Sequence, residues 1–186
     1  MRETCVIRAA GADDIPAVCR IYDELHTLEE AGCATIGWQR GVYPTRETAQ
    51  AALFRGDLFV LQEGRDVVGA AVINRTQVDV YAGGRWAYPA ADDEVMVLHT
   101  LVISPAASGK GLGSRFVRFY EAYALERGCT CLRMDTNERN LAARNLYRKL
   151  GYREAGIVPC VFNGLPGVRL VLLEKRIDPL DSCPAE

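Results

Sequence analysis

At 186 residues, 49% of them hydrophobic, the chain suits one compact domain with a self-sufficient core. Its 22 basic and 24 acidic residues nearly balance, so it lacks the positive field that a phosphate backbone requires, and nucleic acid is not expected as a partner. No stretch approaches the roughly 18 apolar residues of a membrane span, and the charged start MRETCVIRAAGADDIP lacks the apolar run of a signal peptide, so a soluble cytoplasmic protein is expected.

Thr4 to Ala10 reads as a strand. Asp13 or Asp14 then offers a cap for an amphipathic helix carrying Ile15, Val18, Ile21, Tyr22 and Leu25 at helical spacing. Residues 31 to 44 have no clean period and read as a loop whose aromatics, Trp38 and Tyr43, are candidates for a pocket wall; Arg46 to Phe54 suits a short helix. Asp57 to Glu63 and Asp66 to Asn74 are apolar runs joined at Gly64 and Arg65, which predicts an antiparallel hairpin. Between Thr76 and Asp93 the periodicity fades, leaving either a surface loop or a flap over a substrate.

From Glu94 the pattern sharpens into a β-rich run, VMVLHTLVI, a loop, SPAASGKGLG, and a helix after Leu112 with Phe116, Phe119 and Tyr123 on one side. A strand from Thr130 to Thr136 leads to a helix from Asn140 to Leu150, which Gly151 stops. A strand after Tyr152 and another over Val168 to Lys175 complete an α/β (α+β) domain spanning 1–178. Residues 179–186 read as a C-terminal tail.

Gly109, Gly111 and Gly113 lie between a strand and a helix, where bare backbone N–H groups at a positive helix end can cradle phosphate oxygens; a glycine-rich turn without a ligand is the plainer reading. A P-loop is excluded because Lys110 is followed by Gly111 and not by Ser or Thr. A dinucleotide fingerprint has its first two glycines but Ser114 at the third, with Asp135 near the place of a ribose-binding acid, and the chain lacks room for a second half. Cys5, Cys19, Cys33, Cys129, Cys131, Cys160 and Cys183 form no disulfide framework and read as reduced thiols. With His26 and His99 as the only histidines, no metal site is expected.

Taken together, VLHTLVISPAASGKGLG and NLAARNLYRKLGY resemble the acetyl-CoA-binding core of the GNAT superfamily of N-acyltransferases. That family's loop pattern, Arg or Gln, two residues, Gly, one residue, Gly or Ala, is matched by Ser108, Gly111 and Gly113, with Ser108 the departure. Its second pattern falls on Asn140, Ala143, Leu146, Tyr147, Gly151 and Tyr152 without a gap. The resemblance implies a mixed, mostly antiparallel sheet flanked by helices. It also implies acetyl-CoA as cosubstrate, a small-molecule or peptide amine as acceptor, and a homodimer as an option that no sequence feature fixes.

Carried over residue by residue, it assigns the pantetheine arm to the backbone of Leu101, Val102 and Ile103. It assigns the pyrophosphate to Ser108, Gly109, Lys110, Gly111, Leu112, Gly113 and Ser114, a cofactor contact to Asn140, and the proton for the departing sulfur to Tyr147. His99 stands where many relatives carry Glu, which makes it a candidate base; by strict alternation it shares a face with Val97 and Leu101, and a core histidine is the alternative. Glu94, after Asp92 and Asp93, is a second candidate for handling the amine proton, or simply part of a solvated loop edge. The implied reaction is direct transfer in a ternary complex; the competing reading is a non-catalytic acyl-CoA-binding sensory module.

Overall fold

The computed structural model describes residues 5–178; the start of the first expected strand at Thr4, and the expected tail with Cys183, lie outside them. Seven strands form one sheet: β1 (Cys5–Ala9), β2 (Leu58–Glu63), β3 (Asp66–Asn74), β4 (Val95–Ile103), β5 (Cys131–Asn137), β6 (Arg153–Phe162) and β7 (Leu165–Arg176). Four helices flank it: α1 (Ile15–Glu30), α2 (Arg46–Arg55), α3 (Leu112–Glu126) and α4 (Leu141–Lys149). The strand order is β1-β2-β3-β4-β5-β7-β6, and every neighbouring pair is antiparallel except β4 and β5. That one parallel pair needs a crossover, which α3 supplies.

The faces follow from alternation. Met96, Leu98, Leu132 and Met134 pack under α3 and α4 with Phe116, Val117 and Tyr120. On the opposite face, α1 and α2 bury Val18, Ile21, Ala49 and Ala52 against Val60, Ala70 and Val72. Asp14, expected to cap α1, turns instead to accept the Gly11 N–H at 2.7 Å and the Arg8 guanidinium at 2.7 and 2.9 Å, tying the helix entrance to β1. Thr45 is the cap of α2, accepting from the Thr48 N–H at 3.4 Å.

The rest of that second face is covered by residues 76–93, so this stretch is neither a bare surface loop nor a free flap. A 3-10 turn over Asp79–Gly83 buries Tyr81 among Val95, Val97, Cys131 and Leu172. Beyond it, the Ala87 and Tyr88 N–H groups donate to the carboxylate of Glu174 on β7, at 2.7 and 3.3 Å. Glu174 is wholly buried and also meets the Arg153 guanidinium at 2.8 Å, so its charge is compensated.

One irregularity in β4 shapes the centre of the sheet. Against β3 the register runs Ala70↔Val102 and then Val72↔His99, so β4 carries one extra residue there, and Thr100 adopts φ 51°. A β-branched residue in that region is strained, and such an extra residue flips the alternation downstream. Val97 therefore faces the 76–93 cover, whereas Leu101 and Ile103 pack on the α3 side and Val102 on the α1 side. The expected sharing of one face by Val97, His99 and Leu101 is overturned by this bulge. Pairing between β4 and β5 also ends at Leu98↔Met134, although both strands continue, so the two part and leave a notch. Among the described residues no helix is long and apolar enough to cross a membrane.

Candidate active site

A pocket passes through the notch and draws walls from both faces of the sheet. Asn140, Ala143 and Tyr147 of α4 line one side, and Trp38, Tyr43 and Phe162 the other, with the bulged stretch Leu98 to Leu101 and Asp135 between them. The backbone of β4 past Leu98 is hydrogen-bonded to β3 on one edge and has no β5 partner on the other. An extended polar chain fits such an edge, since its amides can take the place of the missing strand.

α4 begins at Asn140, whose Oδ1 accepts the Ala143 N–H at 3.2 Å; a side chain expected to reach a cofactor is thus also the helix cap. Two turns on, Tyr147 is buried, its ring set edge-on to Tyr152 at 6.0 Å. Burial above all, and then the nearby Asp135 charge, push its phenol above the usual range. It therefore stays protonated at neutral pH, as a proton donor must.

The glycine loop leads into α3 as the spacing predicts. Gly109 and Gly111 take φ 78° and 76°, and Gly111, at the helix N-cap, has no side chain to occupy the first N–H groups of α3. A Cβ added at either glycine would meet nothing within 4 Å, so positive φ and not crowding is what favours glycine at these two positions. Gly113 is glycine for another reason, because a Cβ there would lie 3.2 Å from Leu146 Cδ2 on α4. Lys110 forms an ion pair with Glu63 at 2.9 Å, so its charge is shared with β2. Ser108 is exposed on extended backbone at the loop's start.

His99 reaches the pocket, but held by a network. Asn74 donates to Asp57 Oδ2 at 2.8 Å, so its own Oδ1 accepts from the Thr76 N–H at 2.9 Å and from His99 Nε2–H at 3.1 Å. The ring is thereby set as the Nε2–H tautomer, with Nδ1 carrying the lone pair. Burial pulls its pKa down to about 4, so it is a much weaker base than the free imidazole of the sequence expectation. Glu94 is not brought to the site: it ends an exposed 3-10 turn at the far end of β4 and accepts the Ala91 N–H at 2.9 Å. Both departures have local causes, a desolvating wall for His99 and a capping duty for Glu94.

Asp135, which sequence reasoning left only in a rejected nucleotide scheme, faces the pocket from β5. Tyr81 donates to its Oδ2 at 2.9 Å, and Oδ1 has no hydrogen-bond partner among the described residues. Burial lifts its pKa to about 6, with the Tyr81 hydrogen bond pulling the other way. The signal was available: Cys131, Arg133, Asp135 and Asn137 alternate with Leu132 and Met134, a polar stripe on an interior strand. Thr100 adds a second unexpected contact, its displaced hydroxyl hydrogen-bonding the Tyr43 hydroxyl. Among the described residues no three His, Cys, Asp or Glu side chains converge as a metal site requires.

The site thus combines a parted parallel pair in an otherwise antiparallel sheet with a glycine-opened helix at one end and a buried tyrosine at the other. The family model described as Acetyltransferase (GNAT) family matches residues 18–152, and the chain belongs to that family. An uncharacterised N-acetyltransferase of Bacillus subtilis, YhfO, is 37% identical over 60 residues, which make up 32% of this chain and 40% of that protein. Streptothricin acetyltransferase of Escherichia coli is 31% identical over 65 residues, 35% of this chain and 37% of that protein. The matched segments thus span about two-fifths of these relatives. Among solved structures, a GNAT-family acetyltransferase of Streptococcus agalactiae shares the fold with a TM-score of 0.75 at 24% identity, covering 94% of this chain and 96% of the other.

Proposed function

We propose that the protein is an N-acetyltransferase that moves an acetyl group from acetyl-CoA to a primary amine by direct attack, both substrates being bound together. The observation that carries this reading is the convergence of Asp135 and Tyr147 on one pocket at the notch between β4 and β5.

The residues suit the donor. The unpaired edge of Leu101, Val102 and Ile103 would pair with the pantetheine amides, and the N–H groups from Gly109 to Ser114 would receive the pyrophosphate, with the α3 dipole favouring negative charge. Ser108 contributes a short hydroxyl, and Lys110 a charge divided with Glu63. When bound, acetyl-CoA supplies the activated thioester.

The amine attacks only when neutral, and an amine of pKa about 10.4 gives up about 4.6 kcal/mol to lose its proton at pH 7. Asp135 is ionised at neutral pH yet more basic than an ordinary aspartate, so it both attracts the ammonium and receives its proton. His99 acts as a neutral, fixed part of the wall, with its Nδ1 lone pair available to a substrate N–H. Tyr147 gives a proton to the departing sulfur, and no covalent enzyme intermediate is needed.

The test is CoA release from acetyl-CoA across an amine panel, read by mass spectrometry for wild type and Tyr147→Phe. Release with an acceptor, weakened in the variant, supports the transferase. Binding of acetyl-CoA without release to any amine favours a sensory module.

A further inference from the structure

The charge inventory of the pocket is one-sided. Among its lining residues Asp135 is the only one charged at neutral pH, because His99 is held neutral and the others are apolar, amide, hydroxyl or phenol side chains. Cations at its borders are already engaged. Arg55 binds Asp57 through Nε and a terminal nitrogen at 2.8 and 3.2 Å, Arg169 meets Glu138 at 2.8 Å, and Arg139 lies 3.8 Å from Glu29. Arg55 and Arg169 are thus taken up by hydrogen-bonded carboxylates, while Arg139 makes only this long, exposed ion pair and does not line the pocket.

The opposite wall is aromatic. Trp38 and Tyr43 meet edge to face at 5.9 Å, and Tyr43 meets Phe162 likewise at 5.7 Å, giving a continuous apolar surface across from the carboxylate. Rings of this kind accept an apolar body and tolerate a nearby cation through their faces. They bring no positive charge to a carboxylate, and the Tyr43 hydroxyl is already paired with Thr100.

We infer that the acceptor is a cationic primary amine with an apolar body and no carboxylate beside the amino group, so that free α-amino acids are excluded as acceptors. The inference rests on reading this pocket as the acceptor site. An α-amino acid places its own carboxylate a few bonds from the ammonium that Asp135 holds. Two anions then face each other in a poorly solvated space, where their repulsion is strong. The corresponding decarboxylated amine keeps the ammonium and the body and brings no such anion.

The experiment compares matched pairs: phenethylamine with phenylalanine, tryptamine with tryptophan, and 3-methylbutylamine with leucine, together with the amino-acid methyl esters. Binding is measured by calorimetry with CoA present, and acetyl transfer is measured in parallel with acetyl-CoA. Each amine is expected to bind about tenfold or more tighter than its amino acid, the ester to recover most of that difference, and Asp135→Asn to shrink the ratio to within about threefold. Amino acids that bind as tightly as the amines, a ratio untouched by Asp135→Asn, or no binding by any of the amines would overturn the inference. Amines that bind with the expected preference yet yield no acetylated product would uphold the preference and sink the transferase reading.

Discussion

The hydroxyl of Tyr81 donates to Asp135 Oδ2 at 2.9 Å, and this single neutral donor is the carboxylate's only hydrogen-bond partner among the described residues. The donor comes from the 3-10 turn in residues 76–93, so the folded cover of the second face also orients the acid at the notch. A half-buried carboxylate held this lightly is costly to the fold, and its raised pKa of about 6 reflects that cost.

Asp135→Asn should therefore stabilise the protein at pH 7 while lowering transfer. A shift from about 3.8 to about 6 corresponds to roughly 3 kcal/mol, and asparagine can still accept from Tyr81, so a gain of about 1–3 kcal/mol is expected in denaturant unfolding. Activity in the amine assay should fall by about a hundredfold. A variant both less stable and equally active would remove Asp135 from the mechanism.

The acid response should split between two groups. Asp135, raised in the fold, contributes stability that is present below pH 3.8 and lost as pH rises through about 6. His99, lowered to about 4, contributes stability that is present above 6.5 and lost as pH falls through about 4. Each is worth about 3 kcal/mol in opposite directions over one window, so they nearly cancel. Between pH 7 and 4, Asp135→Asn should lose stability more steeply than wild type, and His99→Gln should gain relative to it. Parallel stability curves for all three proteins would contradict both shifts.

Tyr147→Phe keeps the buried ring and its contact with Tyr152 and removes only the hydroxyl. The melting temperature should barely move, while kcat drops about tenfold to a thousandfold with acetyl-CoA KM within about threefold. An unchanged kcat would assign the leaving proton to solvent.

Much of this was legible in the chain. The element order, the Gly64–Arg65 hairpin, the glycine loop and the Asn140-to-Tyr147 spacing are local patterns, and local patterns survive folding. The bulge was not legible, because a β-branched residue at Thr100 is a good strand former and nothing nearby announces φ 51°. The cover over 76–93 was not either, since its anchor is Glu174, far along the chain. Asp135 was visible only as part of a polar stripe whose meaning depends on which strands part.

Glu174→Ala tests that anchor. It strips two backbone donors and the Arg153 guanidinium of their acceptor, so a loss of about 3 kcal/mol is expected, together with faster limited proteolysis between residues 82 and 90. Glu174→Gln, which retains an acceptor, should lose less. Unaltered cleavage in Glu174→Ala would show that the apolar packing of Tyr81 and Trp86 suffices.

The close approach of Gly113 to Leu146 has a geometric consequence. Gly113 sits in the first turn of α3, and Leu146 directly precedes Tyr147 on α4, so the helix end that would grip a phosphate and the tyrosine that would meet a sulfur are butted together. On the proposed reading the two grips would form a ruler of fixed length, and a donor would be gauged by its span before its acyl group is sampled.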